Sequence, residues 1–176
     1  MSPAEELLTA AARAKKEGRM DAARDAVTSA ISLLRENGSR MELAHALRFL
    51  GELERSAPDS DGGIAAYEES VAILRDQTDR ATLAHTLRHL GDAHRHLGHV
   101  DAAVTCCEEA YGMYQQHQCG SELDRANAAR SAALGKELVS DGNAARQRWR
   151  IARDLYERAG VASGVTESVE RLAALG

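Results

Sequence analysis

The 176-residue sequence is poor in residues that kink a chain or fill a core with rings: it has two prolines, one tryptophan, one phenylalanine and only 3% aromatics. Ala, Leu, Arg and Glu dominate instead, a composition suited to long helices packed through small side chains. Cysteine is also scarce. Cys106, Cys107 and Cys119 form no Cys-x-x-Cys pair, so a disulfide framework is not expected. Cys107 falls on an inward stripe with Ala103, Ala110 and Tyr114, where a cysteine behaves as a small hydrophobe. Positive charge is not in excess. The net charge of −5 argues against a general nucleic-acid binder, whose domain would be basic. No apolar run approaches the length of a membrane span, and no cationic start leads into an apolar stretch, so no membrane association and a cytoplasmic location are expected. There is no Gly-rich phosphate loop, zinc-protease helix motif or nucleophile elbow, which leaves no sign of an enzyme and no cofactor to assign. The adjacent acids Glu68 and Glu69, and Glu108 and Glu109, diverge on a helix and read as surface charge.

What the chain does have is a repeat. Leu-Ala-His-x-Leu-Arg-x-Leu-Gly occurs as Leu43 to Gly51 and again as Leu83 to Gly91, displaced by 40 positions. Asp21, Asp61 and Asp101 keep the same offset. A period of this size means stacked supersecondary units that bury their apolar faces against neighbours.

Within the clearest unit, Leu83, Leu87, Leu90 and Leu97 share one stripe of a helix from about 81 to 97. Gly98-His99-Val100-Asp101 then interrupts the pattern, with Gly suited to a C-terminal cap and Asp101 to the start of the next helix, which runs to about 116. The offset of 40 predicts earlier pairs at about 4 to 17 with 20 to 36, and 41 to 56 with 61 to 75. A shift of 42 aligns Ala102, Ala110 and Tyr114 with Ala144, Ala152 and Tyr156, predicting helices at about 122 to 139 and 142 to 159. One helix remains, about 164 to 175, with Val165, Val169 and Leu172 inward and Glu167, Glu170 and Arg171 outward.

Small residues recur at equivalent sites: Ala11, Gly51, Gly91 and Ala133 in the first helices; Ala23, Gly63, Ala103 and Ala145, then Ala30, Ser70, Ala110 and Ala152, in the second. Val27, Tyr67, Cys107 and Trp149 fill the bulky position of each second helix. In this pattern the chain resembles the tetratricopeptide repeat (TPR) family, a helix–turn–helix module with small residues where helices cross. It departs from the common pattern in its longer period, in Glu54 and His94 where that family has Tyr, and in lacking the terminal Pro. These departures resemble the long-period, kinesin-light-chain-like and bacterial regulatory branch. The resemblance implies an all-α, right-handed α-α superhelix (TPR-like solenoid) of four helix-turn-helix units plus a C-terminal capping helix. The whole of 1–176 would be one array, with units of about 1–40, 41–80, 81–121 and 122–163 and a cap at 164–176.

Such arrays bind partners on the concave surface lined by first helices, so the residues opposite the Leu stripe are the candidates. His85, His89, Asp92 and His96 form one stripe about half a turn from the leucines. Arg48, Arg88 and Arg130 occupy one equivalent position, and His45, His85 and Asn127 another. Phe49 stands at the position of His89, and Glu52 at that of Asp92. A ladder of guanidinium groups suits an extended acidic segment or a free C-terminus. Glu52 and Asp92 offer an alternative, pairing with the arginines to leave a neutral groove or selecting basic partners.

The histidines also present a transition-metal option, because imidazoles four apart on a helix can share one ion; all ligands would lie on one helix, and no metal site is assigned. The run Arg146 to Arg153 reads as the outer side of a second helix whose Trp149 is buried, not as a nucleic-acid or membrane surface. The expected function is a protein–protein interaction adaptor, a monomer or weak homodimer, holding a peptide or partner helix in its groove. The alternative is a regulatory sensor for a small signalling peptide or a metal ion.

Overall fold

The computed structural model describes residues 1–55 and 61–176. Among the described residues the secondary structure is helical: α1 (Pro3–Lys16), α2 (Met20–Asn37), α3 (Arg40–Glu54), α4 (Asp61–Arg75), α5 (Arg80–His96), α6 (Val100–His117), α7 (Glu122–Leu138), α8 (Gly142–Arg158) and α9 (Ala162–Ala174), with no strand. These bounds lie within two residues of those expected from the repeat. The expected end of the third helix, at 56, lies outside the described residues. No described helix is long and apolar enough to cross a membrane.

The termini form where local chemistry directs them. Ser2, Ser39 and Ser121 open α1, α3 and α7 with capping boxes closed by Glu5, Glu42 and Asp124, each satisfying backbone donors that the first turn leaves open. Asp79 and Asp141 cap α5 and α8 through single side-chain acceptors. The turns α1–α2, α5–α6 and α8–α9 each contain a glycine at positive φ: Gly18 at 76°, Gly98 at 75° and Gly160 at 70°. The equivalent position between α7 and α8 is Ser140, at φ 57°, so the left-handed turn persists there without the residue that adopts it most easily.

The chain forms two compact units, Met1–Thr78 and Asp79–Gly176. In the first, α1 packs on α2, α2 on α3, and α3 on α4. Its core holds Ala11, Ala23, Val27, Ala30, Leu47, Leu53, Tyr67 and Leu74, all essentially buried. In the second unit α5 packs on α6, α6 on α7, α7 on α8, and α8 on α9, with a further contact between α5 and α7. Trp149, Tyr156, Leu155 and Tyr111 share one buried cluster with Ala129, Ala132, Ala133, Ala145 and Ala152.

The small sites lie directly against the bulky ones. A methyl group added at Gly51 would stand 2.8 Å from three ring carbons of Tyr67, and one at Gly91 would stand 2.5 Å from the Cys107 sulfur. The same relation recurs at Gly164, whose added methyl would meet the Tyr156 ring at 2.5 Å. Each contact lets two helices approach as closely as their backbones allow.

One face differs from the sequence expectation. The sequence pattern points Val169 inward on α9, but it is 50% exposed, and Gly164 and Ser168 are the buried residues. The close approach of Gly164 to Tyr156 sets the rotation of α9, and Ser168 one turn later follows it inward, donating its hydroxyl to the Gly164 carbonyl at 2.7 Å. Val165 and Leu172 keep partial burial against the cluster.

The packing separates two glycines of similar helical setting. Gly91→Ala places its methyl against Cys107 and the Ala103 carbonyl, and should destabilise the fold by about 1–3 kcal/mol. Gly112, also helical, has nothing within 4 Å of an added methyl, so Gly112→Ala should stabilise by about 0.5–1 kcal/mol. Urea denaturation followed by circular dichroism measures both, and equal effects would contradict the close approach at Gly91.

Candidate functional site

Of the expected site residues, His45, Arg48, Phe49 and Glu52 lie on α3 in the first unit. His45 is exposed, and the other three are half-buried. Arg48 reaches one turn along its helix and donates to Glu52 at 2.6 Å, while Lys15 of α1 donates to the other oxygen of Glu52 at 3.0 Å. The Lys15 ammonium also lies 5.2 Å from the centre of the Phe49 ring, within cation–π range. The ring thus belongs to a contact between the two first helices of this unit.

In the second unit α5 carries His85, Arg88, His89, Asp92 and His96, and α7 carries Asn127 and Arg130. Arg88 and Asp92 are only 9% and 7% exposed, where the sequence expectation had them lining an open groove. Asp92 takes Arg88 at 3.3 Å and Arg95 at 3.6 Å, and accepts the hydroxyl of Ser131 on α7 at 3.1 Å. A buried carboxylate persists only with such partners, because removal from water must be offset by pairing and hydrogen bonds. Arg88 also approaches His89 Nε2 at 2.9 Å. His96 is exposed at the end of the helix.

Arg130 has the most regular partner. Its Nε and one terminal nitrogen each donate to a Glu167 oxygen of α9 at 2.7 Å, the forked geometry in which guanidinium binds carboxylate best. The equivalent of Glu52 and Asp92 in this helix is Leu134, so Arg130 lacks the acid one turn on and α9 provides one. Beside it, Asn127 accepts the Tyr156 hydroxyl at 2.8 Å. These four residues, with Leu123, Val161, Ser163 and Gly164, line a cavity of about 290 Å³. Sequence reasoning did not include Lys15, Ser131, Tyr156 or Glu167 in the site; the missing acid at 134 was the signal that Arg130 needed a carboxylate from elsewhere.

Arg146, Arg148 and Trp149 of the arginine-rich stretch of α8 are committed internally, while Arg150 is exposed. Trp149 is fully buried and donates its indole N–H to Glu137 at 2.6 Å. Arg148 lies over the Tyr111 ring at 4.4 Å and pairs with Glu108 at 3.3 Å. Arg146 donates to the carbonyls of Leu175 and Gly176 at 2.8 and 2.6 Å. Cys107 is buried as expected, and burial pushes its thiol up to about 12, so it is neutral and unreactive near pH 7.

The Arg130 hydrogen bonds hold the Glu167 carboxyl below its ordinary 4.5. A lowered folded-state value stabilises the fold above the unfolded value, and that contribution is lost as pH falls through the folded one. Glu167→Gln should therefore lower the melting temperature at about pH 7, with the difference from wild type shrinking below about pH 4.5. Melting curves across this range test it; a difference that stays constant would mean that no ion pair forms.

Against known structures, a protein described as a Podosopora anserina kinesin light chain with nearly identical TPR-like repeats superposes with a TM-score of 0.71 at 12% identity, covering 99% of this chain and 96% of its own. A signal transduction ATPase with a tetratricopeptide repeat sensor, from Pyrococcus horikoshii, gives a TM-score of 0.85 at 13% identity over 98% of this chain, which spans 26% of that protein. A Rap protein complexed with Competence and Sporulation Factor gives 0.73 at 15% identity, over 94% of this chain and 46% of that one. At these identities the likeness is one of fold, the TPR-like helical repeat. No curated protein matches the chain in sequence. The family model for Anaphase-promoting complex subunit 5 matches in three stretches, residues 5–57, 59–92 and 87–131. Matched over more than half its length by that model, and TPR-like in its fold, the chain belongs to the anaphase-promoting complex subunit 5 family of helical repeats.

Proposed function

We propose that the chain is a protein-interaction module that seats a peptide or partner helix on the faces of its first helices, and that it binds rather than catalyses. The observation that carries this reading is the cavity of about 290 Å³ beside α7, lined by Asn127, Arg130, Tyr156 and Glu167. It is an open, mainly polar groove in which the exposed Leu123 and the half-buried Val161 stand beside a few convergent polar groups. The Rap protein of like fold is complexed with Competence and Sporulation Factor, which supports a ligand-binding use of such repeats.

The charge arrangement favours an acidic segment by exchange. Glu167 holds the Arg130 guanidinium in its forked geometry, so a partner carboxylate replaces one acid with another and the arginine is ordered beforehand. Tyr156 fixes the Asn127 oxygen, which turns the amide nitrogen away from that hydroxyl as a donor for a peptide carbonyl. Arg88 contributes differently: nearly buried and paired with Asp92, it supports the face rather than gripping a partner.

A photo-crosslinking residue in place of Ser163, which is exposed and lines the cavity, should capture a partner in native extract. The same residue in place of the exposed Arg150 of α8 should not. The Asn127→Ala, Arg130→Gln double variant should reduce capture by about tenfold, the factor that one lost charged contact carries. Capture from Arg150 alone, or capture indifferent to the double variant, would place binding elsewhere.

A further inference from the structure

α5 brings His85 and His89 together with their Nε2 atoms 3.0 Å apart. The rings meet edge to face, with centroids 4.6 Å apart and planes at 65°. A cation bound at about 2.0–2.1 Å to each of two imidazoles, at an angle between a right angle and the tetrahedral one, separates the nitrogens by about 2.9–3.3 Å. The pair therefore already has the bite of a metal chelate, and its spacing of four residues is that by which zinc helices present two histidines. Both rings are half-buried, which limits their rotation while leaving access from solvent.

A carboxylate supports the pair. Asp124 of α7 lies 3.8 Å from Nδ1 of His85, on the side of the ring opposite Nε2. At that distance the carboxylate acts through its charge, which favours the proton on Nδ1 and the Nε2 lone pair toward a ligand. Asp124 is itself held in place, accepting the Ser121 backbone N–H at 3.0 Å and the Ser121 hydroxyl at 2.7 Å. Arg88 is the competing group, with one terminal nitrogen 2.9 Å from His89 Nε2. Its other terminal nitrogen is 3.3 Å from Asp92, so Arg88 can withdraw from the imidazole and keep its ion pair.

We propose that His85 and His89 form a two-imidazole site for a divalent transition-metal cation of the copper, nickel or zinc class, with solvent or a partner group completing the coordination. Such cations favour imidazole nitrogen, and copper binds most tightly of the three. A second histidine pair provides an internal comparison. His94 and His99 approach through their Nδ1 atoms at 3.3 Å, but His94 is only 8% exposed, so a cation there would have to be carried into the core. The inference concerns the metal alone and stands or falls independently of any peptide on the same face.

Titration of the full chain with copper(II) chloride, followed by calorimetry and electron paramagnetic resonance, tests it. The expected result is one tight copper per chain with two nitrogen donors. His85→Gln and His89→Gln should each weaken binding by about tenfold or more, and Asp124→Asn by about tenfold through loss of the orienting carboxylate. The His94→Gln, His99→Gln double variant should keep the site. In the wild-type protein itself, substoichiometric copper should broaden the imidazole resonances of His85 and His89 before those of the other histidines, which removes any dependence on variant folding. Unchanged affinity in His89→Gln, or broadening that begins at His94 and His99, would overturn the proposal.

Discussion

The contact of a small residue on one helix with a large one on the next is the constraint on which the rest of this structure depends. Gly51 receives the face of Tyr67, Gly91 the sulfur of Cys107, and Gly164 the ring of Tyr156. A chain with few aromatics cannot separate its helices with rings on both sides, so it places each large side chain against a site without one. Two consequences follow from this closeness. The large groups are buried, and burial raises the ionisation of Tyr67 to about 12 and that of Cys107 to about 12, which removes them from chemistry near neutral pH. The first helices are also fixed in rotation, which decides whether each polar residue meets solvent or a neighbour.

That rotation leaves the first helices of each unit with charge that is already paired. Arg48 holds Glu52, Arg88 holds Asp92, and Arg130 holds Glu167. The three pairs differ in setting: the first and third are partly exposed, while the Arg88–Asp92 pair has about a tenth of each side chain accessible. Exposed pairs contribute little to stability and exchange partners readily. A nearly buried pair is costly to break, because it leaves one charge without compensation. The repeated arginine position is thus nearly buried in α5 and partly exposed in α7, although the sequence writes the same residue at both.

The helices among the described residues were legible because their signals are local and periodic: leucines at helical spacing, glycines at turns, and serine or aspartate at starts. The small and bulky sites were legible because the repeat aligned them. The burial of Arg88 and Asp92 was not, since Ser131, the residue that receives Asp92 from the neighbouring helix, is an ordinary small residue in sequence. Nor was the pairing of Arg130 with Glu167, which spans 37 positions. Val169 misled for a related reason. An apolar residue at helical spacing with Val165 and Leu172 reads as core, yet the glycine that approaches Tyr156 sets the helix rotation, and a residue without a side chain carries no hydrophobic signal.

The central claim is that the small-against-large contact is a specific steric match, and a double-mutant cycle at Gly51 and Tyr67 tests it most directly. In the wild-type background Gly51→Ala should cost about 1–3 kcal/mol, and in the Tyr67→Leu background much less, giving a coupling of at least about 1 kcal/mol in urea denaturation. Effects that add to within about 0.5 kcal/mol would mean that the two residues are independent, and would contradict the account.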